Sequence, residues 1–229
     1  MAGTVAVWTR SGTEVSYVCV TDGSAGSNEP GVTREDLRAI REPEQRAACE
    51  VLGVKECTFL GFVDGLVEVT LDLRRALTRE ARRVRPDVVV APDPTRFFDE
   101  ERTYVNHTDH RAVGQACMAL VNPDSSTRPM FPELLDQGLE PHEIPYLWIP
   151  AYGGEADTFV DITETIDVKI RALYCHKSQL HDWPVDEWIR SRAKERGAPQ
   201  GLQYAESFKT FRLRESEAPA PPSEEHGEE

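Results

Sequence analysis

Two histidines three residues apart, His107 and His110, carry the strongest chemical signal in the chain. They lie in Tyr104-Val-Asn-His-Thr-Asp-His-Arg-Ala-Val-Gly114, after the apolar run Asp87 to Ala91 and the loop Asp93-Pro-Thr-Arg-Phe-Phe. At the start of a helix, residues three apart share one side, so both imidazoles can converge on one site with Asp109 and Arg111 close by. Imidazole is a good zinc ligand, and a neighbouring one can instead move protons or meet developing negative charge. The same residues also have a plain structural use, with His107 capping the helix, His110 packed against the loop, and Asp109 and Arg111 forming a solvated turn. H-x-x-H supplies two of the three or more ligands a zinc site requires, so spacing alone leaves both readings open. Asp22 follows a strand, where a D-G turn accounts for it without chemistry. His176, alone among apolar neighbours on a helical stretch, reads as structural.

The elements that must position these residues alternate. Ala2 to Arg10 reads as a helix ending at Gly12, and the β-branched and aromatic run Thr13 to Val20 as a strand closed by Thr21-Asp22-Gly23. Thr33 to Val54 has a Thr cap, an acidic first turn, an internal Pro43 able to divide it, and Gly53 as stop signal. A short strand, ECTFLGF, comes next, then the turn Asp64-Gly65, a helix over Val69 to Val84 and a strand over Asp87 to Ala91 that should be fully buried. A helix over His107 to Val121, a strand over Pro145 to residue 152, a Thr-capped helix through ITETIDVKIRALYCHKSQL and a last helix over Val185 to Arg196 complete the pattern. Alternation of this kind implies a parallel α/β sheet with its active edge at the strands' C-terminal ends.

Length and composition predict one globular domain over residues 1–214, followed by a disordered acidic tail at 215–229, where Pro, Glu and small residues show no apolar periodicity. Of the net charge of −14, five negatives lie in the last fourteen residues, which leaves about −9 on the rest. That balance argues against nucleic acid as a partner, because phosphate neutralisation needs a basic face. The arginine-rich run Arg79 to Arg85 reads as the solvated face and last turn of a helix. No apolar run reaches bilayer length and no secretory leader opens the chain, so a cytoplasmic protein without membrane contact is expected. Five cysteines without a C-x-x-C pair point to reduced thiols. A nucleotide-binding protein is disfavoured by the lack of any phosphate-cradling glycine motif after a strand.

The order TDG, Arg41 and Glu44 as R-x-x-E before LGV, LGFVDG, RPDVVVAPDP, NHTDHRAVG, then Lys169 to Gln179 and YAESF resembles the PIG-L/LmbE-like zinc-dependent N-deacetylases over nearly the whole chain except the tail. The resemblance implies a Rossmann-like α/β fold, with a mostly parallel sheet flanked by helices. It also implies zinc as cofactor and an N-acetylglucosamine-containing small molecule as substrate. In such enzymes His110 would be a metal ligand, and His107 would stabilise the oxyanion or assist proton transfer. Arg41, Asp93 and Arg96 are candidate substrate contacts, each with an ordinary surface or loop use as the alternative.

The family's A-H-P-D-D motif supplies two further ligands and the general base, and it has no counterpart here. The expectation is that the first strand and this loop are missing, that the start was assigned late, and that roughly ten to twenty more residues are encoded upstream. Taken literally, the 229-residue chain should be catalytically dead or nearly so. The leading reading is an amidase-type hydrolase that removes an acetyl or other acyl group through metal-activated water. The competing class is a noncatalytic sugar-binding or regulatory pseudoenzyme of the same fold. Acyl group, aglycone and oligomeric state, a homo-oligomer included, stay open.

Overall fold

A computed structural model describes residues 1–99, 103–151, 155–180 and 184–213. The elements are α1 (Ala2–Arg10), β1 (Ser16–Thr21), α2 (Arg34–Leu52), β2 (Glu56–Phe62), α3 (Leu71–Val84), β3 (Val88–Val90), α4 (Thr108–Ala119), β4 (Tyr146–Pro150), β5 (Thr158–Asp161), α5 (Ile166–Tyr174), α6 (Lys177–Leu180), α7 (Val185–Gly197) and β6 (Ala205–Arg212). The proposed tail lies outside the described residues, as does the last residue of the strand expected to end at 152.

Strands β1 and β2 pair in parallel, as do β3 and β4. The second sheet runs β3-β4-β6-β5, and both ladders made by β6 are antiparallel. Helices flank these strands, so the expected α/β architecture stands, with an antiparallel edge that strand-helix alternation does not announce. Among the described residues, no helix is long and apolar enough to cross a membrane.

Local signals explain most boundaries. Thr33 and Asp36 form a reciprocal capping box at the start of α2, and Gly53 ends it in the left-handed region at φ 71°. Pro43 does not divide α2. A proline removes the hydrogen bond to the carbonyl four residues back, and both Pro43 and Ala39 are exposed, so water can satisfy the freed carbonyl. The expected long helix from ITETI is instead two, α5 and α6, interrupted at Cys175 and His176. Its Thr165 does not cap by side chain, because Oγ1 donates to the carbonyl of Gly3 at 3.0 Å and ties α5 to α1.

Two expectations about burial are corrected. The run Asp87 to Ala91 is not fully buried: Asp87 is exposed, Val88–Val90 are half-buried, and only Ala91 is buried. Among the described residues β3 has a ladder partner on one side only, so its other edge is not sealed by a strand. The Arg79 to Arg85 run is not wholly a solvated face either. Arg82 is 2% exposed, and its Nη2 donates to the carbonyls of Asp124, Thr127 and Met130 at 2.9, 3.0 and 3.0 Å while Nε reaches Ser125. The guanidinium thus pins the segment that follows α4. Beside it, Arg74 grips the fully buried Asp124 through two bonds of 2.7 and 2.8 Å.

One core cluster joins Leu73 and Leu77 of α3, Ala116 and Cys117 of α4, and Leu147 and Ile149 of β4. Gly114 sets how closely α4 approaches the loop after β3. A β-carbon there would stand 2.5 Å from the Pro92 carbonyl oxygen and 2.9 Å from the Pro94 nitrogen, both backbone atoms that cannot swing aside. Gly114→Ala is therefore expected to destabilise by about 1–3 kcal/mol, readable by urea unfolding, despite alanine's better helix propensity. Wild-type stability or better would show that α4 can shift freely.

Candidate functional site

The site is assembled from loops at the C-terminal ends of β1, β2 and β3 and from the first turn of α4. His107 is the N-cap of α4, and its Nδ1 accepts the amide N–H of Asp109 at 3.2 Å. The capping use foreseen for it is thus present and leaves the rest of the half-exposed ring available. The ring of His110 lies 5.6 Å from that of His107, tilted by 50°. Residues three apart on the first helical turn reach this proximity by geometry alone. Although His110 is exposed as a residue, its ring is crowded. Burial, followed by the neighbouring His107, pushes its pKa below the ordinary imidazole value against the pull of Asp109 and Asp64. It is therefore biased toward the neutral form that can accept a proton or coordinate a cation.

Asp109 is 4% exposed and turns away from solvent. Its carboxylate accepts the amide N–H of Gly65 at 2.7 Å and of Val67 at 3.2 Å, and Oδ1 stands 3.9 Å from Nδ1 of His107. It is a positioning residue that clamps the loop after β2 to the start of α4.

That loop carries Asp64, a residue the sequence reading treated only as half of a turn. Asp64 accepts the N–H of Ala25 at 3.0 Å and lies 3.9 Å from Nη1 of Arg41. The signal that could have found it is its place just past the end of β2, beside the glycine that Asp109 holds. Arg41, on α2, donates to the carbonyls of Gly23 and Gly26 at 2.6 and 2.8 Å, and its buried Nε has no hydrogen-bond partner. A β-carbon at position 26 would stand 2.4 Å from the Arg41 guanidinium, so any larger residue there would displace that group from its place against the two carbonyls. Asp22 does form a turn, accepting the N–H groups of Ser24 and Asp64. Burial alone would raise its carboxyl, but these bonds and the charge of Arg38 hold it below the ordinary value.

Arg41 and Asp64 line a cavity of about 520 Å³ together with Phe59, Gln45 and His176. His176 was set aside as structural, and it stands on this wall. The cavity is not lined by His107 or His110; Asp64 on its wall precedes Gly65, whose N–H is accepted by Asp109, the residue between the two histidines' positions on the first turn of α4. Asp93 and Arg96 are on the loop between β3 and α4, apart from the cavity lining. Asp93 caps its own turn by accepting from Thr95 N and Oγ1 at 2.8 and 2.6 Å, and the carbonyl of Arg96 accepts from Asn106 Nδ2.

A catalytic zinc needs three protein donors with one position open. Among the described residues, no group of three or more His, Cys, Asp or Glu side chains is arranged to hold a metal ion. The Asp109 carboxylate, 3.9 Å from Nδ1 of His107, is turned to two backbone N–H groups of the loop after β2. The described donor set does not fit a catalytic metal.

Comparison with known proteins supplies the family. Residues 1–121 match the family described as PIG-L, GlcNAc-PI de-N-acetylase. Diacetylchitobiose deacetylase of Thermococcus kodakarensis is 32% identical over 216 residues, covering 91% of this chain and 76% of that protein. A probable N-acetyl-alpha-D-glucosaminyl L-malate deacetylase 2 of Bacillus anthracis is 30% identical over 79% of this chain and 75% of its own length. The structure of N,N'-diacetylchitobiose deacetylase from Pyrococcus horikoshii superposes with a TM-score of 0.83 at 31% identity, covering 93% of this chain and 78% of that one. The extent of these matches places the chain in the PIG-L family of deacetylases.

Proposed function

We propose that this protein binds an N-acetylated amino sugar at the C-terminal edge of its strands and serves hydrolysis of the acetamide. The observation that carries the reading is the 32% identity across 91% of the chain with a protein named diacetylchitobiose deacetylase. Arg41 and Asp64 offer a charged pair for sugar hydroxyls beside the cavity, and Asp93 and Arg96 offer further polar contacts from the loop after β3. Because Nδ1 of His107 accepts a backbone N–H, the proton of its neutral ring sits on Nε2, where it can donate to a developing oxyanion. His110 is assigned as one ligand to the zinc that the family resemblance implies, a metal the described residues do not hold by themselves. The protein is assigned to the cytoplasm, a reducing compartment that suits its five free cysteines.

The incomplete donor set favours a second reading, an amino-sugar-binding protein without turnover. Assaying N,N'-diacetylchitobiose in excess zinc separates the two. Acetate release that disappears in His110→Ala supports the hydrolase; saturable binding without acetate supports the binding protein. On either reading, zinc should be held weakly, with well under one ion per chain surviving dialysis against a chelator, and chelation should leave Tm unchanged. One tightly retained ion per chain would contradict this account of the donors.

A further inference from the structure

A solvated turn is the plain use foreseen for Arg111, yet the residue is half-buried and its side chain is turned to the chain that enters α4. Nη1 donates to the carbonyl of Asn106 at 2.5 Å, and the guanidinium carbon lies 4.9 Å from the centre of the Phe97 ring. The Arg111 amide N–H donates to the carbonyl of His107 at 3.3 Å. Asn106 holds the same stretch from its other side, with its N–H donating to the Phe97 carbonyl at 2.8 Å and Nδ2 to the Arg96 carbonyl at 2.9 Å. A cation in the first turn of a helix opposes the macrodipole, so the electrostatics of α4 do not account for an arginine here. Its contacts do. Phe97 is 56% exposed, so the guanidinium covers a ring that is not part of the core.

We propose that Arg111 is a positioning residue for His107. The Asn106 carbonyl belongs to the planar peptide group whose nitrogen is that of His107, so holding the oxygen fixes the plane from which His107 departs. The residue leaves that plane at φ −58° and ψ 140°, and its Nδ1 is tied to the Asp109 amide. Backbone and ring are then both held, and the direction of Nε2 follows. Only a planar guanidinium can lie on an aromatic face and donate along its own plane at the same time; an ammonium cannot. That Nε2 meets an oxyanion rests on the amino-sugar reading above, whereas the positioning stands on the contacts alone. A donor aimed at developing charge must be placed in advance, since a shift of about 1 Å can cost about 100-fold in rate.

The test is NMR of the histidine rings in isotope-labelled wild type, Arg111→Met, Arg111→Lys and Phe97→Leu, at one pH where the rings are neutral, before and after adding N,N'-diacetylchitobiose. The wild type should hold one His107 tautomer, with its proton on Nε2, and the sugar should shift that nitrogen. In Arg111→Met the ring should populate both tautomers and the Asp109 amide should exchange about three- to tenfold faster, while the Leu73 and Leu77 amides keep their protection. Arg111→Lys should match Arg111→Met, and Phe97→Leu should move the same signals in the same direction without disturbing the core. An unchanged tautomer and exchange rate in Arg111→Met would overturn the positioning role. Wild-type behaviour in Arg111→Lys would overturn it too, because charge alone would then suffice. If Arg111→Met loses protection at Leu73 and Leu77, Phe97→Leu decides, and an unchanged His107 tautomer there overturns the proposal. Sugar that leaves Nε2 unshifted in the wild type, with the tautomer effects intact, would overturn the amino-sugar reading and leave the positioning in place.

Discussion

Glu206→Gln is expected to lower stability by about 3–5 kcal/mol, since removing one partner of a buried ion pair strands the other. Glu206 lies on β6 and is 2% exposed. Its carboxylate accepts from Lys169 Nζ at 2.6 Å, from Thr4 N and Oγ1 at 2.7 Å each, and from Gly3 N at 3.2 Å, with the Met1 amine at 3.1 Å. One side chain thereby joins the antiparallel edge, the N-terminal turn of α1 and helix α5. Glutamine keeps the shape but presents an NH2 where an acceptor is needed and leaves Lys169 without its counter-charge.

The pH dependence gives this prediction a second readout. Burial alone would raise the Glu206 carboxyl, but the Met1 amine, Lys169 and the bonds from Lys169 and Thr4 outweigh it, and the net shift is far below the ordinary value of 4.5. A depressed carboxyl contributes stability in full above its unfolded value, and that contribution is lost as pH falls toward the folded value. The stability gap between wild type and Glu206→Gln should therefore be widest above about pH 4.5 and narrow below it. Urea unfolding from neutral to acid pH measures the gap, and a gap that widens on acidification would refute the assignment of Glu206 as a buried carboxylate.

Asp109→Ala is expected to lower stability by about 2–5 kcal/mol and to abolish sugar binding. It leaves the N–H groups of buried Val67 and half-buried Gly65 without their acceptor, at up to about 1–3 kcal/mol each. The functional loss follows from position rather than contact, because Asp64 stands one residue before Gly65 and the same carboxylate adjoins His107. Hydrogen exchange separates this from general unfolding. The amides of Gly65 and Val67 should exchange much faster while those of Leu73 and Leu77 in α3 stay protected below the unfolding transition. Uniform acceleration across α3 would mean that Asp109 supports the fold at large and not this loop.

What the sequence disclosed divides along the range of the interactions. The capping box at Thr33 and Asp36 and the Gly53 terminator are contacts between near neighbours, so their residue types suffice to find them. The pairing of His107 and His110 was legible for the same reason, being set by one helical turn. The interior position of Arg82 was not, because it depends on carbonyls some forty residues away that turn inward to meet the guanidinium. Strand β6 was hidden by its own chemistry. A charged glutamate and consecutive buried residues at its start break the alternation by which a strand is recognised, and only the contacts with Lys169 and Thr4 explain them. Asp64 was passed over because an Asp-Gly pair is explained by turn formation until the neighbouring Arg41 is in view.

The central claim, that this edge of the sheet receives an N-acetylated amino sugar, is tested most directly by proton NMR of N,N'-diacetylchitobiose mixed with the protein in excess zinc. The account predicts saturable broadening of the N-acetyl methyl signals that Asp109→Ala removes, and the appearance of a free acetate line would add turnover to binding. Sharp methyl signals at all protein concentrations, with no acetate formed, would contradict it.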